Sequence, residues 1–153
     1  METLEKTPWN PSRRATERVA NPLPAPETCP HCGGKVEIVG NAEIYSGKTQ
    51  GLWPWAYLCR GCSAHVGMHP YTSIPLGTLA TEELRKARVQ AKQPFETWRT
   101  SRKIDRSAAY QTLAGKLDIA PEECHFGWFD LAMCGKAKAV AVDLLKTTPL
   151  LPE

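Results

Sequence analysis

Six cysteines and four histidines are the side chains best suited to hold a metal ion, and four of the cysteines come in pairs. Cys29 and Cys32 stand in CPHCGG, and Cys59 and Cys62 stand in LCRGC, with two residues inside each pair. A tight turn over that spacing aims both sulfurs at one point. Two such pairs supply the four soft ligands that zinc takes in a tetrahedron. The glycines at these turns, Gly33, Gly34 and Gly61, are expected to relieve the backbone, because glycine accepts positive φ. The 26 residues between the pairs exceed the common spacing of roughly 15–20, and SGKTQGLWPW is the segment that lengthens it. Four cysteine ligands leave no open coordination position. The expected cofactor is therefore one structural Zn2+ ion rather than a catalytic one. Such an ion supplies folding free energy, roughly 10–16 kcal/mol in zinc-finger peptides. A sheet of about 40 residues lacks the core to fold without it.

The other chemically capable residues read differently. His65 and His69 lie four apart, but Gly67 between them and Pro70 after them favour a strand over a helix. On a strand both still share one face. No glutamate completes an HExxH pattern, so a metalloprotease is not supported. Packing and hydrogen bonding are their expected roles, and the His31 side chain is expected to point to solvent. His69, Cys124, His125 and Cys134 form a possible second polar cluster, for which buried cysteines at a helix junction are the plainer account. A hydrolase built on His69, His125, Asp118 or Asp130 has no nucleophile motif, phosphate-cradling glycine loop or close acidic pair behind it. The expectation is that the protein is not an enzyme.

The segment 84–106, LRKARVQAKQPFETWRTSRKIDR, carries Arg85, Lys86, Arg88, Lys92, Arg99, Arg102, Lys103 and Arg106. Only Glu96 and Asp105 oppose them, and Phe95 and Trp98 are interleaved. Cations with aromatics can bind phosphates and stack on bases, and the same pattern also describes a solvated helix face with two core rings. Trp53, Trp55 and Tyr57 offer either a contact surface or core. The net charge of the whole chain is only +3, so no global field dictates a nucleic-acid partner.

These residues need elements to position them, and the pattern predicts an α+β fold: a zinc-ribbon-like small antiparallel sheet followed by a helical C-terminal part. Residues 1–26 hold five of the 13 prolines and read as a flexible or loosely docked arm. Residues 27–70 form the ribbon. KVEIV (35–39) alternates with period two and is expected to pair with AEIYS (42–46) across Gly40-Asn41. WAYLC (55–59) and AHVGMH (64–69) are further strands. Residues 71–146 are expected to be helical and packed on the ribbon, with 71–80 as a connector and 147–153 as a tail. Thr81 is the expected cap of a helix that Pro94 ends. Ser107 caps the next, whose buried face is Tyr110, Leu113, Ala114 and Leu117. Pro121 opens a short helix that Gly127 breaks. Asp130 caps the last, with an apolar stripe of Met133, Ala137, Val140, Ala141 and Leu144.

The polar start METLEKTPWN has no apolar leader, and the apolar run at 139–142 stops at Asp143, so a cytoplasmic protein with no membrane partner is expected. In a reducing cytosol the cysteines argue for metal rather than disulfides.

The order CPxCGG, then YLCRGCSAHVGMHPYTSIPLGTLATEELRKAR, AAYQTLAGKLDI and ECHFGWFDLAMC, resembles a family of small zinc-finger-containing proteins of unknown function, found mainly in bacteriophages and bacteria. The resemblance covers roughly residues 27–145. It implies zinc at Cys29, Cys32, Cys59 and Cys62, and a phage- or prophage-encoded protein in the host cytoplasm. The expected function is nucleic-acid binding, DNA or RNA, by an accessory or regulatory factor. A protein-binding adaptor or inhibitor of a host enzyme such as RNA polymerase is the alternative.

Overall fold

The computed structural model describes residues 5–150, so residues 151–153 of the expected tail lie outside it. The chain divides into two compact units, Met1–Thr81 and Glu82–Glu153. Three strands, β1 (Val36–Gly40), β2 (Trp55–Cys59) and β3 (His65–Gly67), make one antiparallel sheet in the order β1-β2-β3. β1 pairs with β2 in the register Val36↔Cys59 to Gly40↔Trp55, and β2 pairs with β3 from Ala56↔Gly67 to Leu58↔His65. The expected α+β ribbon architecture is therefore present.

The expected hairpin partner of β1 is not. AEIYS does not pair with β1, because Asn41–Glu43 turns into a 3-10 helix. Asn41 donates its side-chain amide to the Gln50 carbonyl at 2.9 Å and accepts the Gln50 N–H at 3.1 Å. Its own N–H bonds the Pro54 carbonyl at 2.8 Å. An Asn side chain that bonds backbone in this way competes with a strand ladder. It folds residues 41–54 into a loop, and β2 takes the place beside β1.

The connector joins the same unit. His65 bridges Ala80, and Met68 bridges Pro75. Thr72, fully buried, donates to the His69 carbonyl at 2.8 Å and accepts the Ile74 N–H at 3.0 Å. The boundary between units thus falls after Thr81 rather than after residue 70. Cys29, Val36, Tyr57, Cys59, Ala64, Met68 and Leu79 form the small core here, with Ile38, Trp53, Trp55 and Val66 packed against it. The N-terminal arm is also engaged. Thr7 and Asn10 close a turn around buried Pro8. A short helix, α1 (Arg13–Arg18), follows from an Ser12 cap whose N–H bonds the Tyr71 carbonyl at 2.8 Å.

The second unit is helical: α2 (Glu82–Ser101), α3 (Arg106–Leu117) and α4 (Leu131–Thr147). Pro94 does not end α2 but lies inside it. An interior proline costs roughly 3 kcal/mol. The buried residues Leu84, Ala91, Phe95 and Trp98 continue one stripe straight through it. Burying Phe95 and Trp98 is worth more than the lost bond, at about 1.5–3 kcal/mol for each large apolar side chain. Asp105, not Ser107, caps α3, accepting the Ala108 N–H. The 3-10 turn Pro121–Glu123 ends at Cys124, and Gly127 sits within a second one, Phe126–Trp128, rather than breaking the first. Asp130 caps α4 as expected, accepting the Met133 N–H at 2.8 Å. The α4 stripe is centred on Cys134, Ala137, Ala141 and Leu144, with Met133 and Val140 at its half-buried margins. Phe95 stands at the middle of this core, with ring centres of Tyr110 at 4.8 Å, Phe126 at 5.4 Å and Trp98 at 6.0 Å.

Candidate metal centre

Each cysteine pair sits on a turn of the same construction. In the first, Cys29 donates its N–H to the Gly34 carbonyl at 2.9 Å, and the Gly33 N–H returns to the Cys29 carbonyl at 2.9 Å. In the second, Cys59 donates to the Ala64 carbonyl at 2.8 Å, and the Ser63 N–H returns to the Cys59 carbonyl at 3.0 Å. The fifth residue of each turn is left-handed, Gly33 at φ +76° and Ser63 at φ +67°. Backbone N–H groups two residues on point at the sulfurs: His31 to Cys29 at 3.4 Å, Gly34 to Cys32 at 3.3 Å and Gly61 to Cys59 at 3.3 Å. Such donors favour thiolate, the ligand form zinc requires.

The β1–β2 register brings the two turns together. Cys59 lies opposite Val36, at the end of the sheet from which the first turn emerges. The four Sγ atoms all lie within 4.8 Å of one another. Cys29 to Cys62 is 3.7 Å and Cys32 to Cys59 is 3.4 Å. Zn–S bonds of about 2.3 Å in a tetrahedron put sulfurs about 3.8 Å apart. The cluster fits a single structural zinc ion.

Two of the three glycines serve space rather than backbone freedom. A Cβ on Gly34 would stand 3.0 Å from the Cys59 sulfur and 3.2 Å from that of Cys32. One on Gly61 would stand 3.0 Å from the Cys32 sulfur. Only Gly33 has positive φ, and it alone fits the expected reason. The Cys59 thiol is pulled down to about 6, led by the Cys62 N–H, with Cys32, the Gly61 N–H and Cys29 adding to it against desolvation. At Cys32 the Gly34 N–H pulls down, but hydrogen bonding with Cys59 and Cys62 and desolvation carry the thiol up to about 12. Four thiolates this close need a cation between them.

His31 is a correction. The residue is exposed, yet its Nε2 lies 2.7 Å from the Leu79 carbonyl oxygen in a part-buried contact, which ties the first turn to the connector. His65 sets its ring edge-on to Tyr45 and its Nδ1 3.3 Å from the Ser63 carbonyl oxygen. The His69 backbone anchors the Thr72 turn. Among the described residues the four cysteines are the one cluster able to share an ion. Of the possible second cluster, His69 belongs to the first unit and Cys124, His125 and Cys134 to the second. Burial pushes the Cys124 thiol up to about 11 and also raises that of Cys134. Both behave as small apolar groups. The His125 ring lies tilted by 38° against that of Trp128, with centres 4.3 Å apart.

The eight basic residues separate by use. Arg88 donates to the Phe129 carbonyl at 3.0 Å. Arg102 donates to the Thr148 and Leu145 carbonyls at 3.1 and 2.8 Å, satisfying the last turn of α4. Lys86 pairs with Glu82, Arg99 with Glu96, and Arg106 lies over the Tyr110 ring. Lys92 and Lys103 are exposed, and Arg85 is half-buried. Charge count alone missed the helix-closing role of Arg102. Its place eight residues after Pro94 was no signal while the helix was expected to stop there.

A family described as a zinc-finger-containing domain matches residues 25–143. No curated protein and no solved structure matches the chain. No helix among the described residues is long and apolar enough to cross a membrane.

Proposed function

The chain belongs to this family of zinc-finger-containing domains, and we propose that it works as a nonenzymatic nucleic-acid-binding protein. The observation that carries the reading is a row of cations on α2. Arg85, Lys92 and Arg99, the last ion-paired with Glu96, follow at seven-residue steps, two turns or about 10 Å apart along one side of the helix. Lys86, Lys103 and Arg106 add exposed charge on the same unit. Arg88 and Arg102 are set aside, because their guanidinium groups already hold backbone carbonyls.

The chemistry of the zinc site supports a scaffold role, since four sulfur ligands leave no position for substrate. Asp118 and Asp130, the carboxylates a hydrolase would use, stand at helix ends: Asp118 as the left-handed C-cap of α3, Asp130 as the N-cap of α4. The resemblance to phage and bacterial proteins supports an accessory or regulatory role in a host cytoplasm.

Affinity for DNA and RNA measured across salt tests the reading. Each phosphate contact adds about −0.9 to the log–log slope on duplex DNA. Absence of binding at low salt overturns it. A host protein retained in a pull-down after nuclease treatment would replace it with the adaptor reading, and cleavage of the bound strand would restore the enzyme.

A further inference from the structure

The α2 row leaves unused a second set of groups, on the first unit. Thr7 and Asn10 exchange both backbone hydrogen bonds, at 2.9 and 3.3 Å, and so close a four-residue turn. Trp9 is displayed at its corner, 66% exposed. Its ring meets that of Trp55 on β2 edge to face, with centres 5.3 Å apart. Pro8, its neighbour, is buried and pins the turn. A second ring pair stands close in sequence: Tyr71, 43% exposed, lies tilted on Trp53 at 5.2 Å. Trp53 is itself fixed, because its Nε1 donates to the Thr72 carbonyl at 3.0 Å. Tyr71 has φ +63°, a left-handed conformation unusual for a bulky side chain. The surrounding bonds hold it there: its carbonyl accepts the Ser12 N–H, and Thr72 bonds back to His69. Two wet rings are thus each backed by a fixed half-buried one.

The charge beside them has one sign in excess. α1 starts directly after Ser12 and carries Arg13, Arg14 and Arg18, all exposed. None of the three pairs with an acid among the described residues. Glu17 is the one acid on the helix.

We infer that Trp9, Tyr71 and the arginines of α1 form a stacking platform for single-stranded nucleic acid. This rests on the reading that the partner is a nucleic acid, and it adds a second contact site. The arginines match the phosphates of a strand, and the exposed rings match its bases. Stacking of this kind tolerates any sequence, because every base has a π-face. It demands a single strand, because duplex bases are covered by their neighbours.

The test uses the zinc-loaded full chain and the anisotropy of a labelled oligothymidylate of about 15 nucleotides, within the site size of such platforms. Trp9→Ala is expected to lower affinity by about 5- to 150-fold, with zinc content and circular dichroism unchanged. The double variant Arg13→Ala/Arg14→Ala is expected to flatten the salt slope by about 0.7 per arginine. A blunt duplex of equal length should be insensitive to Trp9→Ala. If both arm variants bind as the parent does, while Lys92→Glu/Lys103→Glu loses binding, the platform is overturned and the nucleic-acid reading stands. If the parent binds no oligonucleotide at low salt, both fall.

Discussion

The two units reach order by opposite routes. In Met1–Thr81 the three strands cover 13 residues, and the core contains the sulfurs of Cys29 and Cys59 as well as Val36, Tyr57 and Met68. Its turns are shaped by hydrogen bonds that converge on metal ligands. In Glu82–Glu153 the core is a ring cluster around Phe95, and the helices that close on it include two capped by aspartates, α3 by Asp105 and α4 by Asp130. A chain segment with few apolar residues can recruit an ion as its core. One with a continuous apolar stripe has no need of it.

Removing the zinc is the largest way to break this contrast. A strong chelator should withdraw on the order of 10 kcal/mol from the first unit. Amide protection across β1–β3 should vanish, while the helical circular dichroism of α2–α4 is retained. Cys29→Ser should reproduce that pattern without chelator. Loss of the helical signal in either case would mean that the ion supports both units. Phe95→Ala is the mirror experiment. It should cost the second unit about 3–5 kcal/mol in a denaturant titration and leave the zinc stoichiometry at one.

Smaller changes sharpen the comparison. Gly34→Ala drives a methyl against two sulfurs and should destabilise by about 1–3 kcal/mol, with zinc passing more readily to a colorimetric chelator. Asp130→Ala removes the α4 cap and should cost about 1 kcal/mol, read as a lower melting temperature at unchanged zinc content. The smallest effect is expected at Arg60, which bonds Glu37 and Glu43, each at 2.9 Å, on the surface of the second cysteine turn. The Arg60 hydrogen bond holds the Glu37 carboxyl below its usual range. The pair therefore contributes fully above the unfolded carboxylate value, about 4.3, and fades as acid protonates Glu37 in the folded state. Arg60→Ala should leave the neutral-pH melting temperature nearly unchanged and remove only this acid-side dependence.

Much of this organisation was legible in local pattern. WAYLC is a strand over the residues expected, and Asp130 caps the helix that its position announces. The four zinc ligands were legible for the same reason: two-residue spacing is a local constraint on a turn. Gly34 and Gly61 were noticed for the wrong reason, because their crowding against sulfur involves both turns at once. The partner of β1 was misread, because Gly40-Asn41 is a good hairpin signal until the Asn41 side chain finds Gln50. Pro94 misled likewise, since a local penalty says nothing of the rings on either side of it.

By itself the sequence determined one metal centre, its ligands, and the change from short strands to helices near residue 81. These follow from spacing and periodicity, which act over a few residues. Only the tertiary structure decided that β2 rather than residues 42–46 lies beside β1, so that the cysteine turns meet. It also decided which arginines close a helix, and that Trp9 and Tyr71 stand exposed on fixed neighbours. Those outcomes depend on burial and hydrogen bonding between residues far apart in the chain, where a contact between distant groups outweighs what each segment prefers alone.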